Sequence, residues 1–257
     1  MTTQKEKADA FKALHVKGSP VILFNVWDAG SARAVEQAGA KAIATGSWSV
    51  AAANGFADGE EAPLELAIEN IERIVASVSL PVTLDFEGGY ATDLSELKEN
   101  ITKVIAAGAI GINFEDQVVG GEGLYSIEEQ SARIAAVREA ADKEGIPLYI
   151  NARTDVFLKT YPAKDTEEQL EETLRRGDAY AAAGGSGLFV PGIRDVGLIK
   201  ILCERSPLPV NVMMLPDAAP TKSLAEQGVA RISYGPIPYR QMIAALQEAA
   251  RKAFAEL

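Results

Sequence analysis

Four short segments concentrate the residues that could do chemistry: Asp85-Phe86-Glu87-Gly88-Gly89-Tyr90, Phe114-Glu115-Asp116-Gln117, Asn151-Ala152-Arg153-Thr154-Asp155 and Asn25-Val26-Trp27-Asp28. Each closes an apolar run that reads as a buried strand, and each ends in carboxylates or in an arginine flanked by amide, hydroxyl and acid. Charges buried at strand ends are costly unless they meet a metal or an opposite charge, so the pattern points to one shared polar site. Asp85 and Glu87, two apart on one strand, share a face, and Glu115 ends the next strand at the same level. Three converging acids without a histidine, cysteine or lysine cluster suit a hard cation with oxygen ligands and retained waters, Mg²⁺ or Mn²⁺. The competing reading, acids that cap helices or pair with a barrel arginine, is opposed by Gly88-Gly89, which leaves backbone room for a ligand.

Arg153 is the one cation among these clusters, and a planar guanidinium is the natural bidentate partner of a substrate carboxylate. Structural pairing with Glu87, Glu115 or Asp155 is its alternative role. Thr45-Gly46-Ser47 forms a glycine turn whose amides could hold a second carboxylate or a developing oxyanion. Trp27, Trp48 and Phe56 read as packing or pocket walls.

Other chemistries are narrowed by scarcity. The chain has one histidine, His15, and one cysteine, Cys203. A histidine triad is excluded, and a zinc site of ordinary type lacks its ligands. Cys203 has no partner for an internal disulfide and falls in an apolar-periodic run, where it reads as a packed thiol. A net charge of −11 argues against nucleic acid or an anionic membrane as a partner. No signal-type stretch or membrane-length apolar run is present, so a cytoplasmic protein is expected.

The elements that must position these residues alternate along all 257 residues without a linker, which suggests a single domain, 1–257. Apolar runs predict strands at 20–26, 42–45, 82–86, 111–114, 148–152, 187–190, 210–212 and 230–234. Helical patterns follow at 31–37, 63–77, 94–107, 127–143, 166–183, 196–205, 218–227 and 239–254, several stopped at once by glycine: Gly39, Gly108, Gly145, Gly184 and Gly228. Eight strand-helix units preceded by one extra helix is the count of a (β/α)8 TIM barrel, with an open doubly wound sheet as competitor. In a barrel every polar cluster falls at the carboxyl end of its strand, the face where such folds place their chemistry.

The order of Trp27-Asp28, Thr45-Gly46-Ser47, Asp58, Asp85-Phe86-Glu87-Gly88-Gly89-Tyr90, Phe114-Glu115-Asp116-Gln117 and Asn151-Ala152-Arg153-Thr154-Asp155 resembles the isocitrate lyase/phosphoenolpyruvate mutase superfamily. The likeness implies Mg²⁺ held directly by Asp85 and through water by Glu87 and Glu115. It implies that Arg153 grips a substrate carboxylate, that Thr45, Gly46 and Ser47 offer amides to another, and that Asp58 sits near the metal on a movable loop. Asn211, ending the seventh strand, resembles an asparagine that touches substrate in the lyases. The implied chemistry breaks a C–C or C–P bond beside a carbonyl through a metal-held enolate. The resemblance also implies a homotetramer or dimer whose last barrel helix is exchanged between subunits.

The pattern departs from the family in one place. Where its lyases carry Lys-Lys/Arg-Cys-Gly-His, this chain has Val118-Val119-Gly120-Gly121-Glu122-Gly123-Leu124-Tyr125-Ser126, which also lacks the mutases' lysine and asparagine. Glu122 is the candidate proton donor, on a glycine-rich segment able to close as a lid. The expectation is a Mg²⁺-dependent lyase or decarboxylase for a small 2-oxo or 2-hydroxy di- or tricarboxylate. The alternatives are C–P chemistry of the mutase or phosphonopyruvate hydrolase kind, or a non-catalytic carboxylate-binding barrel.

Overall fold

A computed structural model describes residues 2–118 and 120–256. Eight parallel strands, β1 (Val21–Leu23), β2 (Ile43–Ala44), β3 (Val82–Asp85), β4 (Gly111–Glu115), β5 (Tyr149–Arg153), β6 (Gly187–Val190), β7 (Val210–Met213) and β8 (Arg231–Ser233), form one sheet. Its order, β1-β8-β7-β6-β5-β4-β3-β2, brings the two ends of the chain of strands together. They meet through a parallel bridge between Val26 and Thr45, beyond the ends of both strands. The result is a nearly closed (β/α)8 TIM barrel, as the strand count predicts.

The helices are α1 (Gln4–Ala13), α2 (Ala29–Gln37), α3 (Ser47–Ala53), α4 (Leu64–Ser77), α5 (Leu94–Ala106), α6 (Ile127–Lys143), α7 (Glu167–Ala182), α8 (Val196–Arg205), α9 (Thr221–Glu226) and α10 (Ile237–Phe254). The five glycines expected to stop helices all take a left-handed backbone. One helix is missed by the sequence pattern: α3 begins at Gly46, within the expected glycine turn, and no side chain caps it. Its run Ser47-Trp48-Ser49-Val50-Ala51-Ala52-Ala53 is too short to display a periodic apolar stripe.

The barrel interior is layered. At the amino-terminal end, Phe11 of α1 packs with Val21, Leu23, Ala42, Ala44, Ile110 and Tyr149, plugging the bottom with hydrocarbon. A larger apolar shell lies between strands and helices. Between the plug and the carboxyl end, the inward positions are polar: Thr83, Asn113, Asn151, Asn211, Arg231 and Ser233 are all buried. Burying that much polarity is tolerable only if it is hydrogen-bonded, and this layer is the floor on which the site stands.

The last helix behaves differently from the rest. Among its residues only Pro238 is buried, and it projects from the barrel instead of covering β1. No described helix is long and apolar enough to cross a membrane.

Candidate active site

Strand register alone assembles the site. Asp85 is the neighbour of Asn113, and Asn113 of Asn151. One pleat higher, Glu115 is the neighbour of Arg153, and Arg153 of Phe189. Because alternate residues share a face, these two rows line the inside of the barrel mouth, beside Met213 and Ser233. Of these, Asp85, Asn113, Arg153, Phe189, Met213 and Ser233 line a pocket of about 160 Å³, walled also by Asn25, Ser47, Trp48, Asp58, Leu158 and Pro236.

Asp85 is held at both oxygens. Oδ2 accepts the Ser47 amide at 2.9 Å, and Oδ1 accepts the Asn113 side-chain amide at 3.1 Å. The Thr45 hydroxyl accepts the Asp85 backbone N–H. Asp58 is tied to Ser47 as well, its Oδ1 accepting the Ser47 hydroxyl at 3.3 Å. Burial of the Asp58 carboxyl, then the charge of Asp85, raises it above the ordinary aspartate range, against the pull of Arg153.

Glu87 and Glu115 stand behind this front row rather than in it. Glu87 is buried with a left-handed backbone; its Oε2 accepts the Gly59 and Glu60 amides at 3.0 and 2.8 Å. The Tyr90 hydroxyl donates to its other oxygen, and Glu60 in turn accepts the Tyr90 amide. Glu87 thereby clasps the loop that carries Asp58, which is tied down rather than loose. Burial, with Asp58 and Asp85 nearby, pushes Glu87 up to about 7. Gly89, at φ +92°, makes the turn possible, since a Cβ there would stand 2.5 Å from the Leu97 side chain.

Arg153 is locked by two acids: Nε and Nη2 reach the two oxygens of Asp155 at 2.6 and 2.9 Å, and Nη1 reaches Glu115 at 2.8 Å. Asp155 takes two of the five guanidinium N–H groups and Glu115 pairs with Nη1 by charge, so Nη1 and Nη2 each keep at least one N–H for a ligand. Burial works against the charge of Arg153, but Asp155 and Glu115 overcome it and hold Arg153 protonated, above its ordinary value. Burial among acids pushes Glu115 well above its ordinary range, with Arg153 opposing. Asp155 is itself aimed from below: its amide donates to Asp116, which is buried against Arg176 and the Tyr180 hydroxyl.

Several sequence expectations are corrected. Trp27 lies outside the pocket, edge-on to Tyr239 in a groove beside α2, and Asp28 caps α2 with Ser31 instead of joining the site. The amides of Thr45 and Gly46 donate to the Thr83 and Val26 carbonyls, so only the Ser47 end of the turn holds a carboxylate, that of Asp85. Asn211 is buried in the floor, bonded to Ser233, and does not line the pocket. Glu122 is exposed on a short loop pinned by the Gln117–Leu124 bridge and does not reach the pocket; Val119 of that loop lies outside the described residues. Phe56 is exposed. Arg231 went unread, and Asn25 and Asn113, although they stand in or beside the quoted segments, received no role; polar residues at alternate strand positions are their signal.

The acids pose a test for a cation. Among the described residues no three Asp, Glu, His or Cys side chains converge closely enough to enclose a bare ion. Asp85 and Asp58 on the pocket wall, with Glu87 and Glu115 behind, instead fit a cation bound by one or two carboxylates that keeps its waters, the habit of Mg²⁺. Burial first, and then the charge of neighbouring acids, raises Asp58, Glu87 and Glu115, and a cation would relieve the second of these.

Fold and site together define a carboxylate-rich TIM barrel with a single anchoring arginine, a description that comparison with known proteins sharpens. Residues 11–254 match the family model described as phosphoenolpyruvate phosphomutase, and the chain belongs to that family. A protein of Burkholderia cenocepacia J2315 described as a candidate phosphonomutase is 51% identical, with a TM-score of 0.95 over 98% of this chain and 100% of that one. An uncharacterised protein of Mycobacterium tuberculosis is 32% identical over 94% of this chain and 88% of its own. 2-Methylisocitrate lyase of Escherichia coli K12 is 27% identical over 78% and 67%. An oxaloacetate decarboxylase of Pseudomonas entomophila is 27% identical over 94% of this chain and 83% of its own. A phosphonopyruvate hydrolase crystallised with oxalate and Mg²⁺, 21% identical over 97% of this chain and 87% of its own, shares the fold at a TM-score of 0.84. The chain is therefore an enzyme-family member whose relatives are lyases and mutases.

Proposed function

We propose that the chain is a Mg²⁺-dependent carbon–carbon lyase or decarboxylase for a small 2-oxo or 2-hydroxy carboxylate. The observation that carries this reading is Arg153, locked by Asp155 and Glu115 yet keeping one N–H on each Nη at the wall of a pocket that Asp85 also lines. Asp85, with Glu87 and Glu115 behind it, would hold the cation, which when bound supplies Lewis-acid polarisation of the 2-oxo group. Arg153 fixes the adjacent carboxylate and so orients the bond to be broken. Ser47 positions Asp58, leaving the Asp58 Oδ2 oxygen to hold or move a proton. Leu158, Phe189, Met213 and Pro236 add uncharged wall beside these groups, which would accommodate carbon substituents.

Carbon–phosphorus chemistry, suggested by the Burkholderia relative, is the second reading. The pocket wall opposes it, because among the described residues its only cation is Arg153, and a migrating phosphoryl dianion would call for more positive charge. Assay of oxaloacetate, methylisocitrate, dimethylmalate and phosphonopyruvate with and without Mg²⁺ decides between them. Metal-dependent turnover of a C–C substrate supports the proposal; turnover of phosphonopyruvate alone replaces it; Mg²⁺-dependent oxalate binding without any product marks a non-catalytic binder. The same reading places the protein in the cytoplasm as a homo-oligomer, tetramer or dimer, with a small carboxylate as its partner.

A further inference from the structure

A costly group lies below the site. Arg231 of β8 is fully buried. Among the described residues no carboxylate lies within ion-pair reach of it: Nε donates to the Ser233 hydroxyl at 3.3 Å, Nη2 donates to Asn113 Oδ1 at 2.9 Å, and Nη1 finds no partner in the chain. Burial pushes its pKa down to about 10, so it stays charged near neutral pH. A buried, unpaired guanidinium costs several kcal/mol, and a hydrocarbon of similar volume would be more stable. Folding alone gives no reason for it.

Its connections run to the site. Asn113 Oδ1 accepts from both Arg231 and Asn151, at 2.9 and 2.8 Å, which fixes the amide so that its N–H must point at Asp85 Oδ1. Asp85 is also the carboxylate whose charge acts on Arg231. We infer that Arg231 is a positioning residue: a permanent positive charge beneath the pocket floor that aims Asp85 through Asn113, restrains cation affinity and favours an anionic ligand above it. In a site crowded with Asp58, Asp85, Glu87, Glu115 and Asp155 and fronted by Arg153 alone, such a charge offsets the repulsion an incoming carboxylate meets. A fixed charge in a low-dielectric interior is felt across several ångströms.

This inference rests on the proposed metal and carboxylate site. Isothermal titration with Mg²⁺ alone, and with oxalate at saturating Mg²⁺, on wild type, R231M, R231Q and D85N tests it. R231M is expected to bind Mg²⁺ severalfold more tightly and oxalate about tenfold more weakly, with a Tm no lower than wild type. R231Q, neutral but able to reach Asn113, is expected to move both affinities the same way and serves if R231M does not fold. Opposite changes for the two ligands cannot come from a loosened fold. Wild-type affinities for both ligands in R231M or R231Q, or losses for both together with a lowered Tm, would overturn the inference while leaving the site intact. Absence of any Mg²⁺ binding that D85N abolishes would overturn the proposed function itself, and this inference with it.

Discussion

Asp155 grips Arg153 through both carboxylate oxygens, Nε to Oδ1 at 2.6 Å and Nη2 to Oδ2 at 2.9 Å, two residues along the same chain segment. Asp155 is buried and Arg153 half-buried, and Asp155 is held in turn by its amide to Asp116. A long side chain that would otherwise sample many rotamers is thus presented in one pose. That cost is met at folding rather than at ligand binding.

It follows that D155N, which keeps the shape and removes the charge, should bind oxalate about tenfold more weakly, or about 1.4 kcal/mol. Its KM for a carboxylate substrate should rise alongside. Breaking a buried pair from one side also destabilises, so its Tm should fall. Unchanged oxalate affinity in a folded D155N would show that Arg153 does not anchor the ligand.

Leu158, Phe189 and Met213 set the preference on the uncharged wall. Each methylene they take from water contributes about 0.8 kcal/mol, roughly fourfold in kcat/KM. A series of substrates lengthened by one carbon at the position beside the cleaved bond should therefore gain about that factor per step until the wall is filled. F189S should flatten the series, and equal rates for the unsubstituted and substituted members in wild type would refute the assignment.

Much of this was legible from residue order, and the reasons for the exceptions are physical. Strands with continuous apolar runs, and helices stopped by glycine, declare themselves through periodicities of two and 3.6. Asp85, Glu115 and Arg153 were visible because they end such runs. Asn113 and Arg231 were not, because an isolated polar residue inside a strand reads locally as noise. Only the register, which places Asn113 beside Asp85 and Asn151, turns it into a connection. Trp27 and Asn211 misled for the converse reason: strand-end position predicts height in the barrel, while the direction a side chain takes depends on where the strand bends and what the next element covers.

Proton handling separates two acids that sequence alone could not rank. Glu122 lies outside the pocket, whereas Asp58 lines it and its carboxyl is raised by burial and by Asp85. E122Q is expected to keep kcat within about threefold, and D58N to lose about 100-fold or more. Steady-state rates of the two variants at saturating Mg²⁺ check this; a larger loss in E122Q would mean that the 120–126 segment swings in during turnover.

His15 gives the fold an acid-labile point far from the chemistry. It stacks on Tyr149 at 4.1 Å between ring centroids, and burial, then the charge of Arg231, pushes its pKa down to about 3. Unfolded histidine titrates near 6.5, so between pH 6.5 and 3 the unfolded chain binds more protons than the folded one. Stability from this group is full above pH 6.5 and is lost as pH falls toward 3. H15F, which keeps the ring stack with Phe11 and Tyr149, should lose less Tm than wild type between pH 7 and pH 4. An identical decline in both would refute the assignment.

The helix α10 carries the remaining prediction. Leu246 and Phe254 are 61% and 75% exposed, and with Met242, Ile243, Ala249 and Ala250 they form one apolar stripe at helical spacing. On the barrel, the outward residues Ile22 and Phe24 of the β1 region are left open where a last barrel helix would ordinarily pack. An uncovered stripe and an uncovered strand face within one chain are complementary, and a second copy can cover both at once, giving a closed symmetric pair. Light scattering of the wild type should therefore report a dimer or tetramer, and L246D should shift it toward monomer while its circular dichroism retains the barrel. A wild type that is monomeric at micromolar concentration would mean that α10 folds back on its own β1 in solution.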